Sequence, residues 1–197
     1  MTRPELRQML LDALSSEGGA SSDFDLNKDV VLPAGRKLTP AAVLVAVRAE
    51  TQTVILTKRS ARLKHHPGQI AFAGGKQDPT DADPTSAALR EAHEEIGLDP
   101  SLVDVVGTLP AHETVTGYAV TPVIALIDGP FMAIPEEGEV SEVFEVPLAH
   151  LMTPAKFQIE GRIWQGKIRR YYTVPFGPYY IWGATARILR GLAERMK

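Results

Sequence analysis

The stretch from Asp83 to Gly97 constrains this chain more than any other. Asp83 is a strong N-cap, Pro84 suits the first helical position, and Gly97 supplies the left-handed residue that ends a helix. The residues between them are mostly good helix formers. At 3.6 residues per turn, Leu89, Ala92 and Ile96 fall on one stripe, and Glu91, Glu94 and Glu95 fall on another. The apolar stripe calls for a core to cover it. Three carboxylates at i, i+3 and i+4 repel one another and weaken an isolated helix, so the acidic stripe calls for a positive partner. A divalent cation removes the repulsion. An all-oxygen donor set without His or Cys favours a hard ion, Mg²⁺ or Mn²⁺, which shares its remaining positions with water and substrate phosphate.

Arg90 to Leu98, REAHEEIGL, resembles the core of the Nudix box, Arg-Glu-U-x-Glu-Glu-x-Gly-U with U a bulky aliphatic residue, although Ala92 is small at the first U. If Gly75 is the leading glycine of that box, Asp81 stands where a Glu is usual, and one extra residue separates it from Arg90. Upstream, Leu56 to Gly75 reads LTKRSARLKHHPGQIAFAGG. It is similar to the additional motif of the coenzyme A pyrophosphatase branch, Leu-Thr-x-Arg-Ser, then Leu, then His-x-Gly-Gln-U-x-Phe-x-Gly-Gly, with Ala73 where Pro is common.

The resemblance implies an α/β fold, the Nudix α/β/α sandwich, in which a mixed β-sheet lies between helices. It implies metal-dependent cleavage of the diphosphate of coenzyme A or an acyl-CoA, giving adenosine 3′,5′-bisphosphate and 4′-phosphopantetheine or its acyl form. Glu91 and Glu95 become the first metal ligands, with Glu94 joining them or acting through water. Arg90 is expected to pair with a carboxylate of the box and fix the ligand geometry. Gly74 and Gly75 would let backbone approach the helix and the phosphates without a Cβ in the way. Members of the family often take a further ligand or general base from a segment after the box. Glu139 and Glu142 are the candidates for that role, against the plainer reading that they only keep the surface soluble.

The chemistry leaves two alternatives open: a Nudix hydrolase of another nucleoside diphosphate derivative, such as ADP-ribose or a dinucleotide, and a module that binds nucleotides without cleaving them. The intact Glu91, Glu94 and Glu95 set argues against the second.

At 197 residues the chain suits one well-buried domain. Residues 1–37 read as an N-terminal helix and connecting loop packed on a Nudix domain at 38–197. A net charge of -3 gives no general attraction to nucleic acid or to an anionic membrane, so phosphate binding needs a local basic cluster or a metal. The absence of Cys excludes disulfides, zinc-thiolate sites and thiol nucleophiles. No signal peptide or membrane span is legible, and a cytoplasmic protein is the default.

The local basic cluster is Lys58, Arg59, Arg62, Lys64, His65 and His66. Charge runs are usually solvated loops, but this one joins a core strand to the Gly74-Gly75 turn. Arg59, Arg62 and Lys64 are therefore the expected phosphate contacts. Pro4 to Leu14 reads as an amphipathic helix and Ser15 to Asp25 as a loop. The Val-rich run Ala41 to Val47 reads as a strand buried on both faces, with Thr53 to Thr57 as its hairpin partner. Leu102 to Leu109, Val120 to Ile127 and Glu139 to Val146 are further strands. Pro122 suggests an edge strand or a bulge. Lys156 to Ile163 and Lys167 to Val174 flank Gln165-Gly166 as a hairpin, and a last helix runs to Met196. Tyr171, Tyr172, Phe176, Tyr179, Tyr180 and Trp182 suit packing in the core or in a homodimer interface, and could also stack on an adenine.

Overall fold

The computed structural model describes residues 1–164 and 166–196. The helix α1 (Arg3–Ser15) opens the chain with a capping box, in which Thr2 and Glu5 satisfy one another's backbone N–H groups. The short strand β1 (Ser21–Ser22) follows, then the long strand β2 (Thr39–Arg48) and β3 (Thr53–Arg59). Next come β4 (Ile70–Ala71), β5 (Ala73–Lys76) and the helix α2 (Pro84–Ile96). The strands β6 (Val103–Thr108), β7 (His112–Glu113), β8 (Tyr118–Ile127) and β9 (Val140–Pro147) lead to the one-turn helix α3 (Leu148–Leu151). The hairpin strands β10 (Gln158–Trp164) and β11 (Lys167–Thr173) precede the final helix α4 (Gly183–Arg195).

Among the described residues β1 to β9 form one mixed sheet. Its axis is β2, which pairs in parallel with β8 along its whole length, from Thr39 opposite Tyr118 to Arg48 opposite Ile127. The other side of β2 is shared. β5 takes residues 41–44, while β3 takes only Val47 and Arg48 before turning away to pair with β9. The expected 41–57 hairpin therefore exists only at its tip, and the fork between β3 and β5 holds the basic loop and the double glycine. The short strands β1, β4, β5 and β7 have no alternating run long enough to read from sequence.

Pro122 corrects an expectation. β8 is an interior strand, flanked by β2 on one side and by β6 and β7 on the other. The proline is tolerated because it sits where pairing passes from β6 to β7, just beyond a bulge between Val105 and Gly107. There it only accepts, its carbonyl taking the Leu109 N–H at 2.9 Å.

Alternation along β2 separates two cores. Ala41, Val45 and Val47 join Leu6, Leu10, Leu189 and Leu192 under α1 and α4, whereas Ala42, Leu44 and Ala46 join Ala87, Ala88, Ala92 and Ile96 under α2. Alanines on both surfaces let α2 lie close to the sheet, which brings its carboxylates near the backbone of β5. Each leucine fully buried in the first core contributes about 1.5–3 kcal/mol. No helix among the described residues is long and apolar enough to cross a membrane.

Candidate active site

The caps read from sequence set the register of α2. The Asp83 Oδ1 atom accepts the Ser86 N–H at 2.7 Å, and Gly97 closes the helix at φ 69°. In that register Glu91 and Glu95 face the β5 backbone. Gly75 leaves room for Glu91, since a Cβ there would fall 2.5–2.7 Å from its carboxylate. Gly74 donates its N–H to Glu95 Oε2 at 3.1 Å. Gly74 has φ +153°, and a Cβ on it would meet the Ala42 carbonyl at 2.4 Å, so Gly74 lets β5 pair against β2 while Gly75 lets α2 approach β5.

Arg90 lies at the centre of the charged network. Its Nε and Nη2 donate to the two carboxylate oxygens of Asp81 at 3.0 and 2.9 Å, and Nη2 also reaches the Lys76 carbonyl at 3.2 Å. Its Nη1 donates to Glu91 Oε1 at 3.0 Å and to Glu94 Oε2 at 3.1 Å. Asp81 is held below the usual carboxylate range by this grip, and Arg90 is raised in turn. The one-residue offset before Arg90 is absorbed by a turn in which Asp81 Oδ2 accepts the Asp78 N–H at 2.8 Å. From spacing alone Asp81 stands one residue out of place and its role stays open, because the turn that corrects the spacing is a tertiary feature.

Glu95 is only 5% exposed. Burial pushes its carboxyl up to about 7, with Glu91 and Glu139 adding to the rise, against the help of the Gly74 N–H and Arg59. Glu91 is also raised, chiefly by burial. Burial thus disfavours the charged form of both acids; Glu91 keeps an ion pair with Arg90, whereas the nearest ion-pair partner of Glu95 is Arg59, 4.0 Å away. In this arrangement no three His, Asp or Glu side chains among the described residues converge as a ready-made metal site. The donor chemistry nonetheless fits a hard divalent ion: two neighbouring carboxylates on one helix face, oxygen donors only, and a glycine at 75 whose missing Cβ leaves room for the Glu91 carboxylate.

The basic loop lies beside this pair. Arg59 Nη1 stands 4.0 Å from Glu95 Oε1. The base of the loop is tied to the segment after α2, where the Ser60 N–H donates to the Glu139 carbonyl at 2.8 Å. Arg62, Lys64, His65 and His66 are exposed along it. Of the two later acids, Glu139 is coupled electrostatically to Glu91 and Glu95. Glu142 is placed differently: its carboxylate accepts from the Tyr179 hydroxyl at 2.5 Å, beside the stacked Phe144 and Tyr179 rings in the core under α4.

Another polar group had no sequence signal. His112, completely buried, is held between Ser21 Oγ at 2.9 Å and Asp23 Oδ1 at 3.3 Å, which pins β1 to β7. A cavity of about 200 Å³ next to it is lined by Gly18, Gly19, Arg187 and Arg195. That cavity lies on the α4 face of the sheet, opposite the acidic pair.

Residues 37–167 match the family model described as the NUDIX domain. The chain is 45% identical over 156 residues to the uncharacterized Nudix hydrolase NudL of Escherichia coli, covering 78% of this chain and 80% of that protein. The corresponding NudL of an Enterobacter species is 42% identical over 154 residues, with the same coverage. Among solved structures, the NUDIX domain of Shewanella oneidensis NrtR complexed with ADP ribose has the same fold. It superposes with a TM-score of 0.52 at 16% identity over 89% of this chain and 97% of that one.

Proposed function

The chain belongs to the Nudix family, and from that premise we propose that it is a metal-dependent pyrophosphohydrolase that cleaves the diphosphate linkage of coenzyme A and its thioesters. The observation that carries the reading is the buried Glu95 beside Glu91, short of positive charge and flanked by Arg59 at the foot of a basic loop. A diphosphate resists hydrolysis because its anionic oxygens repel a nucleophile; Mg²⁺ or Mn²⁺, when bound, supplies neutralising charge and an activated water.

Glu91 and Glu95 would hold that ion, with Glu94 at its edge. The protein's own part is positioning. Gly74 fixes one oxygen of Glu95, and Arg90, itself anchored on Asp81, restrains Glu91 and Glu94. Arg59 stands where it can draw a phosphate toward the acids, and Arg62 and Lys64 extend the positive potential outward along the loop. Coenzyme A carries a 3′-phosphate beyond its diphosphate, which suits a basic run longer than a diphosphate alone needs. The electrostatic coupling of Glu139 to Glu91 and Glu95 supports it, of the two later acids, as a base or an additional ligand.

The test is product analysis with coenzyme A, its 3′-dephospho analogue and ADP-ribose, each with Mg²⁺ or Mn²⁺, for the native protein and Glu95→Gln. Adenosine 3′,5′-bisphosphate formed only with metal and native protein supports the proposal. Turnover of ADP-ribose without turnover of coenzyme A overturns the substrate and keeps the chemistry. Nucleotide binding without turnover of any substrate leaves a recognition module.

A further inference from the structure

The β10–β11 hairpin carries an apolar, unpaired edge outside the main sheet. Ile159, Ile163 and Ile168 are 54%, 77% and 63% exposed. They lie on one face, because Ile159 pairs with Tyr172, Gly161 with Arg170, and Ile163 with Ile168.

The two edges of the hairpin are treated differently. On the β11 edge, Asn27 accepts the Arg170 N–H at 2.8 Å and donates to the Arg170 carbonyl at 2.9 Å. Further along that edge Val174 donates to the Ile181 carbonyl. Since the polar groups of Arg170 point away from β10, those of its partner Gly161 point away from β11, and by alternation so do those of Ile159 and Ile163. None of these outward groups meets a partner among the described residues. An edge strand normally defends itself with like charges, proline or a bulge; Ile159 to Ile163 has no proline and no bulge, and its two charges, Glu160 and Arg162, are opposite in sign.

We propose that this edge is an interface between two copies of the chain, in which β10 pairs antiparallel with β10 of the second copy about a two-fold axis at Gly161. The register is self-complementary. Gly161 faces its own copy, so no side chain obstructs the axis. Ile159 faces Ile163 of the second copy, which builds on the isoleucine face two symmetry-related apolar rows of Ile168, Ile163, Ile159 and Tyr172. On the other face Glu160 meets Arg162 of the second copy, twice by symmetry and at non-hydrogen-bonded positions where side chains lie closest. A shift of the axis by one residue, to Glu160 or Arg162, keeps the outward N–H groups in register but sets like charges opposite each other and an isoleucine opposite Gly161, so both side-chain matches are lost. Closure under the two-fold axis leaves no further edge on β10 for filament growth.

Sedimentation equilibrium of the full chain across a concentration series, with Glu160→Arg, Arg162→Glu and the double exchange, tests the interface. Either single reversal places like charges opposite each other twice and is expected to weaken the dimer by roughly tenfold or more, and the double exchange restores it. Because the chain has no cysteine, Gly161→Cys gives a second readout. Its Cα lies about 5.5 Å from its counterpart across the axis, within disulfide reach, so it should oxidise to a covalent dimer faster than the exposed control Glu50→Cys. A monomer at every concentration overturns the proposal. A dimer that ignores the charge reversals, or that is not rescued by the exchange, overturns the Gly161 register.

Discussion

Arg90 grips Asp81 with two parallel hydrogen bonds, at 3.0 and 2.9 Å, across the turn that precedes α2. Bidentate pairs of this kind fix orientation as well as charge. The same guanidinium reaches Glu91 and Glu94, so Asp81 acts on the acidic stripe through Arg90. Asp81→Ala should weaken activation by Mg²⁺ and lower kcat by roughly 10- to 100-fold while the protein remains folded. Asp81→Asn should fall between the two, keeping one hydrogen bond. Metal titrations of activity decide this, and unchanged metal dependence in Asp81→Ala would remove Asp81 from the site.

Glu95→Gln separates function from stability. A buried acid with too little positive charge around it costs free energy in the folded state, and an amide of the same shape relieves that cost. The variant should lose at least about 100-fold in kcat, yet melt higher than native protein in chelator at pH 8. A lower melting temperature would mean that the carboxylate stabilises the fold.

The pH dependence of stability follows with its sign. The Glu95 carboxyl is raised from 4.5 to about 7, so between those values the folded protein holds a proton that the unfolded chain has released. Its contribution is therefore fully present below pH 4.5 and is lost as pH rises through about 7, a change of up to roughly 3 kcal/mol. Urea unfolding in chelator at pH 5 and pH 8 should show that loss in native protein and less of it in Glu95→Gln. Added Mg²⁺ at pH 8 should restore it. Equal pH dependence in the two proteins would discard this account.

Gly75→Ala and Gly74→Ala should fail differently. At Gly75 the added methyl meets a flexible carboxylate, so Glu91 swings away and activity should fall by about tenfold with the melting temperature nearly unchanged. At Gly74 the methyl meets the Ala42 carbonyl at 2.4 Å in a backbone conformation that L residues rarely adopt, and the cost should be about 2–4 kcal/mol of stability. Paired unfolding and kinetic measurements distinguish the two; similar profiles would contradict the geometry.

Legibility along the chain followed the range of the interactions. The caps Asp83 and Gly97, the apolar stripe of Ala92 and Ile96, and the placing of Glu91 and Glu95 together were all readable because helix geometry is local. β2 and β8 were readable from their long apolar runs, but their parallel pairing was not, because register between distant strands leaves no trace in either one alone. Pro122 misled for the same reason. The rule that proline prefers edges is sound, yet the exchange of β6 for β7 beside β8 depends on three segments at once.

The sequence by itself determined which residues form the acidic helix and that a basic run enters it through two glycines, since both are matters of spacing along one segment. Only the tertiary structure decided which charges meet. The β3–β5 fork sets Arg59 4.0 Å from Glu95, the turn at Asp78 brings Asp81 to Arg90, and strand alternation gives Glu142 to Tyr179 while Glu139 remains coupled to the acidic pair. Coulomb and hydrogen-bond energies depend on distance in space, and in a mixed sheet that distance is fixed by pairing between strands far apart in the chain.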